Sequence, residues 1–372
     1  MSNVSKNINV FTYFVEPASY TIDLINNVYN KLNLETEHQG ILGKKIMLRY
    51  AFIQQFSKAR SKVNIDSYEF LSKKSLLSKF FFIYNVFRNN DLIIINGYNN
   101  YCFILTFLFN FFSFNKRYIG IESDTQLKTK QSTFIKKIIK KIYLNVIFRS
   151  KYVYGLSGGS YSHQDLFHEY GMDKQNIFLL PMVVDNNKFY KHIHHKKNNI
   201  FTYLYVGRLL ETKNVNILCE RFLSSLSKKK ARLIIVGSGE LLDSYKMKYS
   251  HPKIEFRGSL YGNDLVNVYH QSSVFVFPST DESWGLVLNE AMSAGLPVIA
   301  HNEVGAIHDL VVGRETGFVI NNWNDLEDQM LKLYDDKNLC RNLSFNAVNL
   351  MKDYWNYTLY EKSFLRFIRA LI

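Results

Sequence analysis

The chain predicts an α/β protein built from two doubly wound parallel sheets, and three observations carry that prediction. Its 372 residues exceed the roughly 100 to 200 of one domain. Short β-branched and aromatic runs alternate with segments of helical period along most of the chain. Charge also divides near residue 200: residues 1–200 hold 27 basic against 13 acidic residues, whereas the remainder balances, so the whole net charge of +14 lies in the first half. Such an asymmetry marks two units with different partners.

In the first half, Ile8–Val15, Leu92–Asn96, Arg117–Glu122, Tyr152–Leu156 and Ile177–Leu180 read as strands with helices between them. Strand-then-helix order requires parallel pairing with both sheet faces covered. The region from Gln39 to Leu71 leaves strand and helix equally open. The stretch Leu92 to Asn115 lacks charge, but Asn96, Gly97, Asn99 and Asn100 interrupt it and leave 14 residues from Tyr101 to Phe114. A membrane span needs about 20, so the stretch is expected to form a strand and then a buried helix.

Residues 186–200 read as a linker ending in a polar tract. Its His192, His194 and His195 lie among lysines without an acidic or thiolate companion, which argues for solvation and against a metal site. The second unit has strands at Phe201–Val206, Ala231–Val236, Ile254–Arg257, Val274–Pro278, Pro297–Ala300 and Gly317–Ile320. The expected division is 1–185, the linker, 201–350, and a terminal helix in 351–372 that packs back on the first domain.

An apolar content of 47% with 21% charged residues excludes a disordered chain, and five prolines exclude a low-complexity tract. Cys102, Cys219 and Cys340 are an odd number without C-x-x-C spacing, which suits a reducing cytosol. The first residues show no basic segment leading into an apolar one, so no secretory signal is expected.

Open α/β sheets bind ligands beyond the carboxyl ends of their strands. In the second unit those positions hold Gly207-Arg208 and Lys213, Gly237-Ser238-Gly239-Glu240, Gly258-Ser259-Leu260, and Ser279 through Gly285. Arg208 and Lys213 place two cations where a diphosphate would fit. Gly237-x-Gly239 lacks the third glycine of a dinucleotide fingerprint, because Leu242 stands there, so no nicotinamide cofactor is expected. Gly285 and Leu286 open a helix whose amides would face an anion. Glu290 lies among Leu286, Val287, Leu288, Ala291 and Met292, where a carboxylate is costly unless it binds something, and ribose hydroxyls are natural donors to it.

These motifs, with Glu282 and Glu290 eight residues apart and followed by Ala291-Met292-Ser293-Ala294-Gly295-Leu296-Pro297, resemble glycosyltransferase family 4, and Ser157-Gly158-Gly159 through Leu166-Phe167 with Tyr170-Gly171-Met172 resembles its bacterial polysaccharide-assembly members, including those of lipopolysaccharide. The likeness covers residues 177 to 335 and is weaker over 1–150. It implies the GT-B fold, two Rossmann-like domains facing a cleft, the first for an acceptor and the second for a nucleotide-sugar. It also implies retaining transfer from a UDP- or GDP-sugar to a saccharide acceptor, with no cofactor and no metal. Arg208 and Lys213 would take the diphosphate, Glu290 the ribose, and Glu282 would stand beside the donor sugar. Gly285 and Leu286 would give backbone contacts, and Gly258, Leu260, Ser283 and Trp284 would complete the donor site. Stabilisation of the leaving diphosphate by cations would stand in for a metal.

The first half departs from the pattern in two places. Glu16-Pro17-Ala18-Ser19 follows the first strand where relatives carry glycines, and Glu122-Ser123-Asp124-Thr125 stands where many carry a histidine. Asp124 is the substitute catalytic candidate, with a helix N-cap or a turn residue in the loop before the Thr133 to Ile147 helix as its alternative role.

Three other activities would use parts of this pattern. Glycosidase carboxylates lie ~5 Å apart, or ~6.5 to 9.5 Å in inverting enzymes. Eight helical residues rise roughly 12 Å, which fits poorly. A nucleotide-sugar epimerase would turn over its donor without acceptor. A nucleic-acid-binding protein would suit the basic half, but no RNP, KH or zinc-finger pattern occurs.

Residues 116–151 carry ten basic residues against Glu122 and Asp124. With a lipid-linked acceptor, this implies a peripheral protein on an anionic membrane at the cytoplasmic face. A helix there would hold Ile135, Ile138, Ile139 and Ile142 against the sheet and turn its lysines to lipid head groups.

Overall fold

The computed structural model describes residues 7–34, 45–55, 69–127, 134–190 and 200–371. The chain forms two compact units, Met1–Met182 with Tyr357–Ile372, and Val183–Asn356.

The first unit runs β1 (Ile8–Phe14), α1 (Ser19–Leu24), a π turn, α2 (Asn30–Leu34), β2 (Ile46–Phe52), α3 (Leu76–Asn89), β3 (Leu92–Asn96), α4 (Tyr101–Phe112), β4 (Tyr118–Ser123), α5 (Phe134–Phe148), β5 (Val153–Ser157), α6 (Ser162–Glu169) and β6 (Ile177–Leu179). All pairs are parallel, in the order β2-β1-β3-β4-β5-β6. Strand β2 occupies part of the region that the sequence left open. It is an edge strand whose Arg49 faces outward, and it lacks the uninterrupted apolar run that betrays the buried β3. Side-chain caps start the helices that follow: Ser75 Oγ accepts from the Ser78 amide at 3.2 Å before α3, and Asn100 Oδ1 from the Phe103 amide at 3.0 Å before α4.

Two expectations about these helices are corrected. Helix α4 follows its strand as expected but buries only one face, through Cys102, Phe103, Thr106 and Asn110, while Ile104, Leu108, Phe111 and Phe112 are exposed. In α5 the apolar and basic sides do not sort as expected. Ile138, Ile139 and Ile142 are exposed, and Leu144, Ile147 and Phe148 face the core. The helix is turned by its aromatic contacts: Phe148 reaches Phe167 at 5.1 Å, and the Tyr143 hydroxyl donates to the Tyr98 carbonyl at 2.6 Å. The side chain of Ile135 lies outside the described residues, as do His192, His194 and His195.

The second unit begins with a helical turn, α7 (Asn186–Phe189), within the expected linker. It continues β7 (Phe201–Val206), α8 (Val215–Leu226), β8 (Ala231–Val236), α9 (Leu242–Lys248), β9 (Ile254–Gly258), α10 (Gly262–Gln271), β10 (Val274–Phe277), α11 (Leu286–Ser293), β11 (Val298–His301), α12 (Ile307–Leu310), β12 (Gly317–Ile320), α13 (Trp323–Asp335) and α14 (Lys337–Asn349). Its sheet order is β12-β11-β10-β7-β8-β9. Connections from β7 proceed towards β9, and those from β10 proceed the opposite way, so the switch point of the sheet lies between β7 and β10. Each six-stranded sheet is parallel and flanked by helices, as the sequence predicts.

The last helix, α15 (Tyr357–Leu371), belongs to the first unit. Its Phe364 meets Tyr29 at 5.9 Å, and Phe367 lies 5.1 Å from Phe178 and 5.8 Å from Tyr154. Phe367 is fully buried, so Phe367→Ala is expected to lower unfolding free energy by about 3–5 kcal/mol in urea titrations. A loss below about 1 kcal/mol would mean that the helix adds little to this sheet.

Candidate functional site

Because the strands are parallel, the loops after β7, β8, β9 and β10 leave along one edge of the second sheet. Backbone contact locks them to each other. A Cβ on Gly237 would lie 1.8 Å from the Gly207 carbonyl oxygen, and one on Gly239 would lie 2.3 Å from that of Leu209. The Leu209 amide donates to Ser238 at 2.9 Å, and the Gly237 amide to Gly258 at 2.8 Å. Gly237 and Gly239 therefore serve the close approach of two loops. Gly258 itself adopts a φ of +68°, and Leu260 is half-buried beyond it.

Across the switch point, the loop after β7 is tied to the loop after β10. The Thr280 amide donates to the Thr212 carbonyl at 2.8 Å, and Asn214 Nδ2 donates to the Pro278 carbonyl at 3.0 Å. This staple carries Lys213 inward until it is nine-tenths buried. There Lys213 Nζ forms an ion pair with Glu282 Oε2, donates to Ser279 Oγ at 3.0 Å, and stands 5.9 Å from the centre of the Phe277 ring. A buried ammonium needs such partners to offset its lost hydration. Arg208 remains exposed on the same edge, and its carbonyl accepts from the Tyr205 hydroxyl at 2.9 Å. Burial raises the Tyr205 hydroxyl strongly, the Glu282 carboxylate adds to the rise, and the Arg208 guanidinium opposes it. Arg208 and Glu282 thus both act on the Tyr205 hydroxyl, and Lys213 is paired with Glu282.

Glu282 is fixed from behind, since its carbonyl accepts from the Gly305 amide at 3.0 Å. Ser283 is exposed, but the Trp284 ring is not. It stacks on Trp355 at 5.4 Å and donates Nε1–H to Asn289 Oδ1 at 2.9 Å. The indole anchors the loop, which leaves only the Trp284 backbone for a ligand. Gly285 caps α11 at a φ of +95°, and a side chain there would press on Phe277 at 3.1 Å and Val304 at 3.3 Å. The first amides of a helix, here those of Leu286 and Val287, have no intrahelical acceptor, whereas the Leu288 amide donates to the Gly285 carbonyl at 2.8 Å. Within α11, Glu290 Oε2 accepts from the Tyr269 hydroxyl at 2.8 Å. Burial pushes its carboxyl up to about 7, and the Tyr269 hydrogen bond restrains the rise.

The sequence pointed to the cations and both glutamates but not to Tyr269, Asn214 or the loop at Val304–Gly305. Nothing in their local pattern sets them apart, because each acts through a partner many positions away.

In the first unit, Asp124 follows β4 and comes within 3.3 Å of where a Gly158 Cβ would stand. It lies ten residues before the first described residue of α5. Its neighbour Glu122 accepts a hydrogen bond from Asn96 Nδ2 across β3 and β4. Burial first, then the Asp124 charge, pushes Glu122 up to about 7 against the Asn96 hydrogen bond. Tyr20 is pushed up to about 12, by burial and then by the carboxylates of Glu16, Asp124 and Glu122. Three carboxyl groups thus gather around one phenol at the carboxyl edge of the first sheet.

Comparison with known proteins agrees with this architecture. Residues 186–349 match the family model described as Glycosyl transferases group 1. The chain is 32% identical over 172 residues to the capsular polysaccharide biosynthesis glycosyltransferase CapM of Staphylococcus aureus, covering 44% of each chain. It is 32% identical over 205 residues to the Escherichia coli UDP-Gal:alpha-D-GlcNAc-diphosphoundecaprenol alpha-1,3-galactosyltransferase, covering 49% of this chain and 52% of the relative. The chain therefore spans about half the length of these curated relatives. The crystal structure of Anabaena HepE in complex with UDP superposes with a TM-score of 0.71 at 14% identity, over 98% of this chain and 100% of that one. The lipopolysaccharide biosynthesis glycosyltransferase WaaG gives 0.59 at 14% identity, over 95% and 98%. The fold is GT-B.

Glu122 yields a pH-dependent expectation. An acid whose folded pKa is raised binds more protons folded than unfolded, so stability falls as pH rises from its ordinary 4.5 to about 7 and then levels. Glu122→Gln keeps an acceptor for Asn96 and cannot ionise. The variant should match the wild type near pH 4.5 and gain on it up to pH 7, by at most ~3 kcal/mol. Urea unfolding across that range checks this, and a pH-independent difference would refute the buried-acid assignment.

Proposed function

We propose that the chain is a retaining glycosyltransferase that moves a sugar from a UDP- or GDP-sugar to a lipid-linked saccharide acceptor in surface polysaccharide assembly, working at the inner face of the cell membrane. The observation that carries this reading is the convergence of Arg208, the Lys213–Glu282 pair and the amino end of α11 at the switch point of the second sheet.

A donor diphosphate placed there would meet the α11 amides and the Arg208 guanidinium, and it would compete with Glu282 for the Lys213 ammonium. Charge that develops on the leaving diphosphate is then stabilised by groups held in place beforehand, the largest single term in many enzymes. Glu290, costly where it stands, would accept from the ribose hydroxyls, which offsets its desolvation. Released from Lys213, Glu282 would stand beside the donor sugar, and backbone groups at Gly258, Leu260, Ser283 and Trp284 would line it. Asp124, among the carboxyl groups around Tyr20, is the candidate that meets the acceptor. Two cations at the diphosphate suit a reaction that needs no metal.

The relatives' names support the finer points. That of the E. coli enzyme carries UDP-Gal and a diphosphoundecaprenol-linked acceptor, and that of the S. aureus protein a capsular polysaccharide.

Nucleotide-sugars screened by thermal shift should include one that raises Tm, and Glu290→Ala should weaken its binding without loss of fold. Unchanged donor affinity would remove Glu290 from the ribose. Arg208→Ala and Lys213→Ala should each reduce kcat/KM by the equivalent of about 2–4 kcal/mol, while EDTA should leave the rate unaltered. Loss of activity in EDTA that Mn²⁺ restores would overturn the metal-free reading.

A further inference from the structure

Strands β2, β3, β4 and β5 are visited in one direction across the first sheet once β1 is passed. Right-handed crossovers therefore set α3, α4 and α5 side by side on one sheet face. Each helix buries an inner stripe, through Ile83, Val86 and Phe87 in α3, Cys102 and Phe103 in α4, and Leu144, Ile147 and Phe148 in α5.

Outward faces of surface helices are ordinarily polar. Here they are not: Leu77 is 73% exposed, Phe81 59%, Phe111 66%, Phe112 77%, Ile139 61% and Ile142 62%. Single exposed apolar residues are common, but outward apolar side chains repeated on three successive helices of one sheet face mark an interaction site. Between α3 and α4 the patch deepens into a groove of about 810 Å³ walled by Phe80, Tyr84, Leu108 and Phe112, with Arg88 and Arg117 at one end. Lys79, Arg88, Lys140 and Lys141 lie on these helices, whose sequences contain not one acidic residue.

We propose that the face formed by α3, α4 and α5 docks on an anionic lipid bilayer, with its exposed phenylalanines and isoleucines in the acyl boundary and its cations at the head groups. Charge selects this occupant. A second copy of the chain would set cation against cation, whereas a bilayer rich in acidic lipid offers an apolar layer beneath a negative one. The proposal rests on the transferase reading in that a lipid-linked acceptor lies in such a surface, and the site of contact is carried by the helices themselves. No described helix is long and apolar enough to cross a membrane, so the contact is interfacial.

Flotation of the full chain with phosphatidylcholine vesicles, alone or with one third phosphatidylglycerol, tests the proposal. The wild type should float with the anionic vesicles and little with the neutral ones. Arg88→Gln with Lys141→Gln, both at exposed positions, should weaken anionic binding about 30-fold, as two cations near an acidic surface are worth. Phe111→Ser with Phe112→Ser should weaken it as well, and the charge pair, which lies on α3 and α5, reads the same face if the serine pair disturbs α4. Equal recovery on both vesicles, no effect of either pair, or a dimer in sedimentation that the serine pair abolishes would overturn the proposal. Thermal shift with the nucleotide-sugar, read on the same samples, separates the two claims. Vesicle binding without donor binding would leave this face standing and sink the transferase reading, and the opposite result would do the reverse.

Discussion

A lysine ammonium nine-tenths buried must be matched by a counter-charge, and the second unit is arranged around meeting that demand. Lys213 finds Glu282 across 69 positions of sequence. The pairing is possible only because β7 and β10 are neighbours in the sheet while their following segments turn opposite ways. Thr212, Asn214, Thr280 and Gly305 hold the two loops in place with backbone and side-chain hydrogen bonds. The stacked pair Trp284–Trp355 then secures the loop that leads into α11. A site assembled this way is preorganised, since its loops are bound to each other before any ligand arrives.

Each unit also holds a buried carboxyl group whose pKa is raised towards neutrality. Glu122 and Glu290 are both raised to about 7 chiefly by burial, and each has one neutral hydrogen-bond donor, Asn96 or Tyr269. One donor does not restore what water would give a carboxylate, so neither group is at its most stable when ionised and unliganded. Perturbed acids of this kind concentrate where ligands bind. In the second unit the acid lies on α11, the helix that begins at Gly285. In the first it lies two residues from Asp124.

The two halves differ on their surfaces more than in their sheets. Both hold six parallel strands, yet the excess of positive charge falls wholly in residues 1–200. On α3, α4 and α5 it accompanies outward aromatic and aliphatic side chains that a freely solvated helix would not keep. Net charge by itself says little of fold, but charge set beside exposed apolar area says what kind of surface lies opposite.

Local pattern alone was enough for the class of fold, for eleven of the twelve described strands to within a residue or so, for Arg208, Lys213 and Glu282 beyond strand ends, and for Glu290 inside the helix that follows. These are local properties: alternation of strand and helix, glycines after strands, and a carboxylate in an apolar run. Strand β2 escaped because an edge strand with an outward arginine lacks a continuous apolar signature. Only the tertiary structure decided that Lys213 pairs with Glu282, that Tyr269 donates to Glu290, and that the Trp284 ring is buried in packing. It alone turned the isoleucines of α5 outward, because helical period fixes which residues share a face but not which face meets the sheet. That choice belongs to Phe148, Phe167, Tyr143 and Tyr98, whose contacts join parts of the chain that no local pattern relates.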